Sequence, residues 1–217
     1  MDVEEIITSV KNTFGDESGV QISDEDIIRW INAAQHDVVL HNESVMEEEV
    51  TVNLIKDQQT YAFPTDLLVL RSIRVQSSGT QAYIRISPYS LQEFDKYVNG
   101  WDNSLQHTGQ PSIYTTYEQK IFLFPTPSAD AENGLKILYS KKPTVVTQAS
   151  GPLSLPLLYH NAIVDYCLSR AHAMDEDYEA STIHRAQYKE DVRILSFREQ
   201  EGAREYYPTI TVMPEDW

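Results

Sequence analysis

Residues 155–174, LPLLYHNAIVDYCLSRAHAM, decide how the rest of the chain has to be arranged. The stretch is long enough for several helical turns. Pro156 is tolerated in a first turn, where the N–H it lacks has no intrahelical acceptor. At about 100° per residue, Asn161, Asp165, Ser169 and His172 fall on one narrow polar sector. Leu155, Tyr159, Ala162, Ile163, Val164, Tyr166, Cys167 and Ala171 take the remainder of the cylinder. A helix apolar most of the way round has to be wrapped on several sides, so this one is expected to be the central pillar of a helical layer. Arg170 interrupts the apolar side between Tyr159, Ile163 and Tyr166. Its guanidinium needs a carboxylate, a tyrosine face to stack on, or an exit for its tip.

The helices that would wrap the pillar come from both ends of the chain. Residues 2–14 carry Val3, Ile6, Ile7, Val10 and Phe14 at helical spacing, and Gly15 follows where helices commonly stop. Ser23 then has the chemistry of an N-cap, with Asp24, Glu25 and Asp26 in the positive field of the helix start. Ile27, Ile31, Ala34 and Val38 supply the buried stripe of that second helix, with Trp30 on another side. Beyond the pillar, Asp175-Glu176-Asp177 marks a turn, and a long helix runs on to about residue 202. Its buried side is expected to hold Ala180, Ile183, Tyr188, Val192, Ile194 and Leu195. Arg185, Lys189 and Arg193 recur every four residues on the other side. That basic stripe reads either as a solvated helix face or as a contact for an acidic surface, on another copy or another partner.

Between the helices the hydrophobic period changes from 3.6 to 2. Val50, Val52 and Leu54 alternate with polar residues, which reads as a strand. Tyr61 and Phe63, the run 67–75, and Tyr83, Ile84 and Ile86 continue in the same way. Residues 88–98 suit one short helix with Leu91 and Phe94 inward, and 99–110 form a polar loop around Trp101. Ile113, Tyr117, Ile121, Phe122 and Phe124 belong to two strands turning at Glu118-Gln119, and 135–139 is a further strand. The fold class is therefore α+β: a helical bundle from the N- and C-terminal helices, with an antiparallel β module inserted. The boundaries read as 1–45 helices, 46–150 β module, 151–203 C-terminal helical hairpin and 204–217 an extended arm. In the arm, REYYPTITVMPEDW, prolines 208 and 214 bracket β-prone residues. With Tyr206, Tyr207, Ile210, Val212 and Trp217 it is apolar enough to want a partner and too short to bury itself.

Composition narrows the function classes. Of the 217 residues 41% are hydrophobic, enough for a packed core. Asp and Glu outnumber Lys and Arg 33 to 17, a net charge of −16. That balance argues against a protein that grips nucleic acid over a broad surface, because the grip comes from cations on phosphate. No apolar run approaches the ~20 residues of a membrane span, and the acidic MDVEEII is no secretory signal, so no membrane partner is expected. The lone Cys167 excludes an internal disulfide and reads as a small buried hydrophobe. There is no Gly-rich phosphate loop, CxxC, HExxH or GxSxG, and none of the six histidines pairs at i,i+4 on one helix. No catalytic residue, metal site or cofactor is expected. The run Glu47-Glu48-Glu49 reads as a charged sheet edge that discourages aggregation.

Four stretches together resemble a known family. They are residues 22–35 (ISDEDIIRWINAAQ); 61–66 (YAFPTD) followed by 70–73 (LRSI); 109–111 (GQP) followed by 121–127 (IFLFPTP) and 138–143 (LYSKKP); and Leu155-Pro156 with Tyr159, Asp165, Tyr166, Arg170 and Ala171. In order and spacing they resemble the head–tail adaptor (connector) proteins of tailed bacteriophages, across nearly the whole chain. The β module is longer than in the smallest members. The resemblance implies a structural virion protein of the neck. It would be a homo-oligomeric ring, usually of twelve copies, between the portal protein and a tail or nozzle protein, with genome DNA passing through the lumen unbound. Arg185, Lys189 and Arg193 would then be a subunit interface, and Tyr206, Tyr207, Ile210, Val212 and Trp217 a portal-docking arm. Two readings from other classes stand beside it. One is a virion-associated glycosidase using a pair of carboxylates; the other is a receptor- or glycan-binding β module on a helical stalk.

Overall fold

The computed structural model describes residues 1–77, 80, 82–97 and 107–202. Trp101 and the whole extended arm, including Tyr206, Tyr207, Ile210, Val212 and Trp217, lie outside the described residues. In chain order the elements are helices α1 (Val3–Phe14) and α2 (Asp24–His41), then strands β1 (Glu47–Leu54), β2 (Thr60–Ala62), β3 (Leu67–Gln76), β4 (Tyr83–Arg85) and β5 (Ser87–Pro88). Helix α3 (Leu91–Tyr97) and strands β6 (Thr108–Gly109), β7 (Ile113–Tyr117), β8 (Lys120–Phe124), β9 (Thr126–Pro127) and β10 (Ala131–Lys141) follow, and α4 (His160–Met174) and α5 (Tyr178–Gly202) close the series. The chain divides into two compact units, one made of residues 1–45 and those from 143 on, the other of residues 46–142. The fold is α+β, with helices from both ends packed together and the sheets built from the middle of the chain.

In the helical unit, α1 begins with a reciprocal cap. The Asp2 carboxylate accepts the Glu5 N–H at 2.9 Å, and the Glu5 carboxylate accepts the Asp2 N–H at 2.9 Å. Gly15, at φ 90°, closes the helix by donating to the Lys11 carbonyl. Ser23 caps α2 through the Asp26 N–H at 3.1 Å, and an ion pair between Lys11 and Asp24 ties α2's start to α1. Val3, Ile6, Ile7 and Val10 of α1 are buried, as are Ile27, Ile31, Ala34 and Val38 of α2. Both helices pack on α4, and so does α5. The pillar expectation therefore holds. Residues 144–154, which lead the chain back from the sheets, are strapped to the helices. Asn32 takes both backbone groups of Val146 at 2.8 Å each, and the Ser154 hydroxyl donates to Gln35 at 2.8 Å.

Three details of the helices depart from the sequence reading. The pillar is α-helical only from His160, because Leu157–Tyr159 forms a 3-10 turn behind Pro156 and leaves Leu157 and Leu158 exposed. Its polar sector is not wholly wet. Ser169 is buried and satisfies itself by donating to the Tyr166 carbonyl at 2.7 Å, the local bond that lets serine sit inside a packed helix. On α5 the buried side keeps Tyr188 and Val192, but Ile183 is 62% exposed, because the helix meets its neighbours along a narrower seam than its apolar residues suggest.

In the β unit two four-stranded sheets run in the orders β1-β10-β3-β4 and β2-β8-β7-β5, with a small pair β6-β9. Their inward residues share one core that includes Leu54, Tyr61, Ile73, Ile121, Leu123 and Ile137, and Phe94 of α3 is also fully buried. Pairing is antiparallel except for the two-residue contacts β5–β7 and β6–β9. Glu118 and Gln119, both at positive φ (48° and 58°), make the two-residue hairpin turn between β7 and β8. The acidic run stands on β1, an edge strand, and each glutamate meets a cation. Glu48 pairs with Lys141 and Glu49 with Lys136, each at 2.6 Å, while Glu47 lies 3.8 Å from Arg71.

Candidate functional site: a cationic cleft in the helical unit

The basic stripe of α5 lies on one wall of a cleft of about 700 Å³ between α2, α4 and α5. Its floor is aromatic. Tyr166 of α4 and Tyr188 of α5 meet edge-to-face with centroids 5.1 Å apart. Both face inward because antiparallel helices joined by a tight turn bring together residues equidistant from that turn. The Tyr188 hydroxyl donates to Asp37 of α2 at 2.6 Å. Burial, and then this bond to a carboxylate, push the Tyr188 phenol well above its usual range, so it remains a neutral donor. Val192 and Phe197 extend the floor, with Phe197 left 56% exposed.

Cations line the rim. Arg170 solves the problem posed by its position in two ways at once. Its guanidinium stands over the Tyr166 ring at 5.2 Å and donates to the Tyr166 hydroxyl at 2.9 Å, while its tip reaches solvent. Arg193 is held by a two-pronged bond to Glu190 at 2.8 and 2.7 Å. That bond raises its pKa and lowers that of Glu190. Arg185 and Lys189 are exposed and have no ion pair or hydrogen bond among the described residues. Sequence reasoning put Arg185, Lys189 and Arg193 together but on the side opposite the buried one; they instead line the cleft beside Tyr188 and Val192, because a four-residue stripe one position on from a buried residue flanks the buried seam. Sequence reasoning missed Arg170 as a fourth member and the tyrosine pair as the floor. Four of the chain's 17 basic residues thus line one cleft of a protein of charge −16, with Asp37 the acidic member of the lining.

A second cluster was invisible in the sequence spacing. His172 of α4 and His184 of α5 stack with centroids 5.5 Å apart and planes 7° from parallel. His184 Nδ1 is 2.9 Å from Asp165, His172 Nδ1 is 3.6 Å from Asp177, and Phe14 of α1 packs edge-on against His172. No three or more His, Cys, Asp or Glu side chains among the described residues are placed to hold a metal ion, and no described helix is long and apolar enough to cross a membrane. Cys167 is fully buried, which raises its thiol pKa far beyond the reactive range.

A comparison with curated proteins finds no match to this chain. Protein-family models do match: residues 1–213 fit the family described as SU10 adaptor protein. The match runs through both helical segments, the whole β unit and all the residues of the cleft. The helical pillar, the intervening sheets and the motifs quoted from the sequence fall within that one alignment, and the chain belongs to the SU10 adaptor protein family of phage head–tail adaptors.

Proposed function

We propose that this structural adaptor of the phage virion works as a ring of identical subunits, twelve by the family resemblance, seated between the portal and a tail or nozzle protein. The observation that carries the reading is the cationic cleft. A closed ring needs two different, complementary faces on each subunit, and a cation-lined cleft on an otherwise acidic body supplies one of them. The same acidity suits the lumen. Carboxylates repeated around a channel repel the phosphate backbone, so DNA passes without being held. Arg185, Lys189 and Arg193 act at the subunit interface. The segment 204–217 is the arm that reaches the portal, its strand-prone residues 209–212 adding to an exposed sheet edge and Tyr206, Tyr207 and Trp217 entering pockets.

The test mixes the purified chain with the portal protein of the same phage and follows the product by mass photometry and negative stain. The portal is expected to gain the mass of a full ring of adaptor copies and a visible collar. A chain that stays monomeric and leaves the portal unchanged overturns the reading.

A further inference from the structure

We propose that the partner of the cationic cleft is the outer ridge of α1 on a second copy of this chain. This rests on the ring reading above and adds to it which surface meets the cleft. Glu4, Thr8 and Asn12 recur every four residues along α1 and line a shallow groove on each side of it. One groove, of about 530 Å³, also carries Asp2 and Glu5, which cap each other; the other, of about 480 Å³, carries Glu17 and also Asp24, which is paired with Lys11 of the same groove. The ridge is thus narrow, polar and flanked by carboxylates on both sides. Glu4 and Glu17 are exposed and make no ion pair or hydrogen bond among the described residues.

The match to the cleft is geometric as well as electrostatic. Arg185, Lys189 and Arg193 also repeat every four residues, so two i±4 ridges can interdigitate, the commonest way helices pack. Other acidic surfaces fit less well. The glutamates of β1 each already hold a cation within their own sheet. At the α4–α5 corner Asp177 is engaged by the Ala180 N–H at 3.1 Å and lies against His172, and Glu176 sits in a turn at φ 62° rather than along a ridge. The cleft is built from α2, α4 and α5 and the ridge belongs to α1, so the two faces use different elements of one subunit. A contact between unlike faces repeats from copy to copy and closes when the rotation allows.

Charge reversal separates the possibilities, with ring formation on portal read at low salt and folding checked by circular dichroism. Arg185→Glu with Lys189→Glu, and separately Glu4→Lys with Glu17→Lys, are each expected to lower ring yield by about tenfold or more, and the four changes together to restore most of it. As a second readout, a chain carrying Thr8→Cys and Lys189→Cys should give a ladder of covalent multimers on oxidation of the rings. Either change alone should give none, the buried Cys167 taking no part. If the cleft reversal leaves rings intact, the stripe is no subunit interface and the α1 contact falls with it, while ring formation itself stands. If it blocks rings while the α1 reversal does not, or if Glu176→Lys with Glu179→Lys rescues them instead, the ring reading stands and the α1 ridge is the wrong partner. Rings that form without a ladder overturn the α1 contact as well.

Discussion

Asp16 is 5% exposed beneath a loop with no regular structure of its own, and its two oxygens collect the N–H groups of Val20 at 3.0 Å and of Gln21 and Ile22 at 2.8 Å each. These bonds, with Ile22 the largest contributor, hold its carboxyl below the ordinary value of 3.8. A depressed carboxylate stabilises the fold fully above its unfolded pKa, about pH 4, and that contribution is lost as pH falls through the lower folded value. Asp16→Asn should therefore melt at a lower temperature than the parent at pH 7, with the gap narrowing as pH drops below about 4. A gap that does not change with pH in thermal melts would show that the charge does not hold the loop. Nothing in the sequence singles Asp16 out, because an aspartate just past a helix-ending glycine looks like any wet loop residue. Only the folding back of Ile22, buried at 1% exposure, makes it an anchor.

Strand β10 is where local signals and the sheet disagree. Its alternation is legible over 135–139, but the strand extends from Ala131 to Lys141 through Asn133, at φ 53°, and Gly134. Those two residues spell a turn. The strand wins because β10 lies between β1 and β3, whose residues are more than 50 positions away in sequence, and such pairing leaves no local trace. The register slips between Val52 and Leu54 opposite this point. A Cβ placed on Gly134 would come within 2.7 Å of Ala131 Cβ and 2.9 Å of Leu54 Cδ1. Gly134→Val should thus cost about 1–3 kcal/mol by overpacking, read as a lower urea midpoint; an unchanged midpoint would mean that the bulge has room to give. The Glu118-Gln119 hairpin was legible for the opposite reason, since a two-residue turn between alternating strands is written entirely in adjacent residues.

For the whole molecule, the sequence exposed the basic stripe but not the cleft, because a cleft is made by three helices and only one of them carries the stripe. Arg170 could be flagged as a charge needing a partner. A tyrosine face was among its possible answers, and Tyr166 one turn back on the same helix supplies it; that Tyr188 would come to lie beside Tyr166 became visible only once 175–177 was a real turn. The arm makes its own prediction: a chain ending at Arg204 should keep the native circular dichroism spectrum and fail to co-purify with portal, whereas normal co-purification would assign portal contact elsewhere. One further property lies in how the β unit is wired into the chain. Glu47 stands directly opposite Ser140, so the polypeptide leaves for the sheets and returns from them on neighbouring antiparallel strands. For the helices the whole excursion is topologically a hairpin, and closing a long loop costs little more than closing a short one. Replacing residues 47–141 by a brief Gly-Ser bridge should leave a folded helical remnant by far-ultraviolet circular dichroism, and loss of that signal would show the units to be mutually dependent. Wired in this way, the β unit is a cassette: it can be lengthened, trimmed or exchanged at a single pair of splice points without rerouting the helical scaffold.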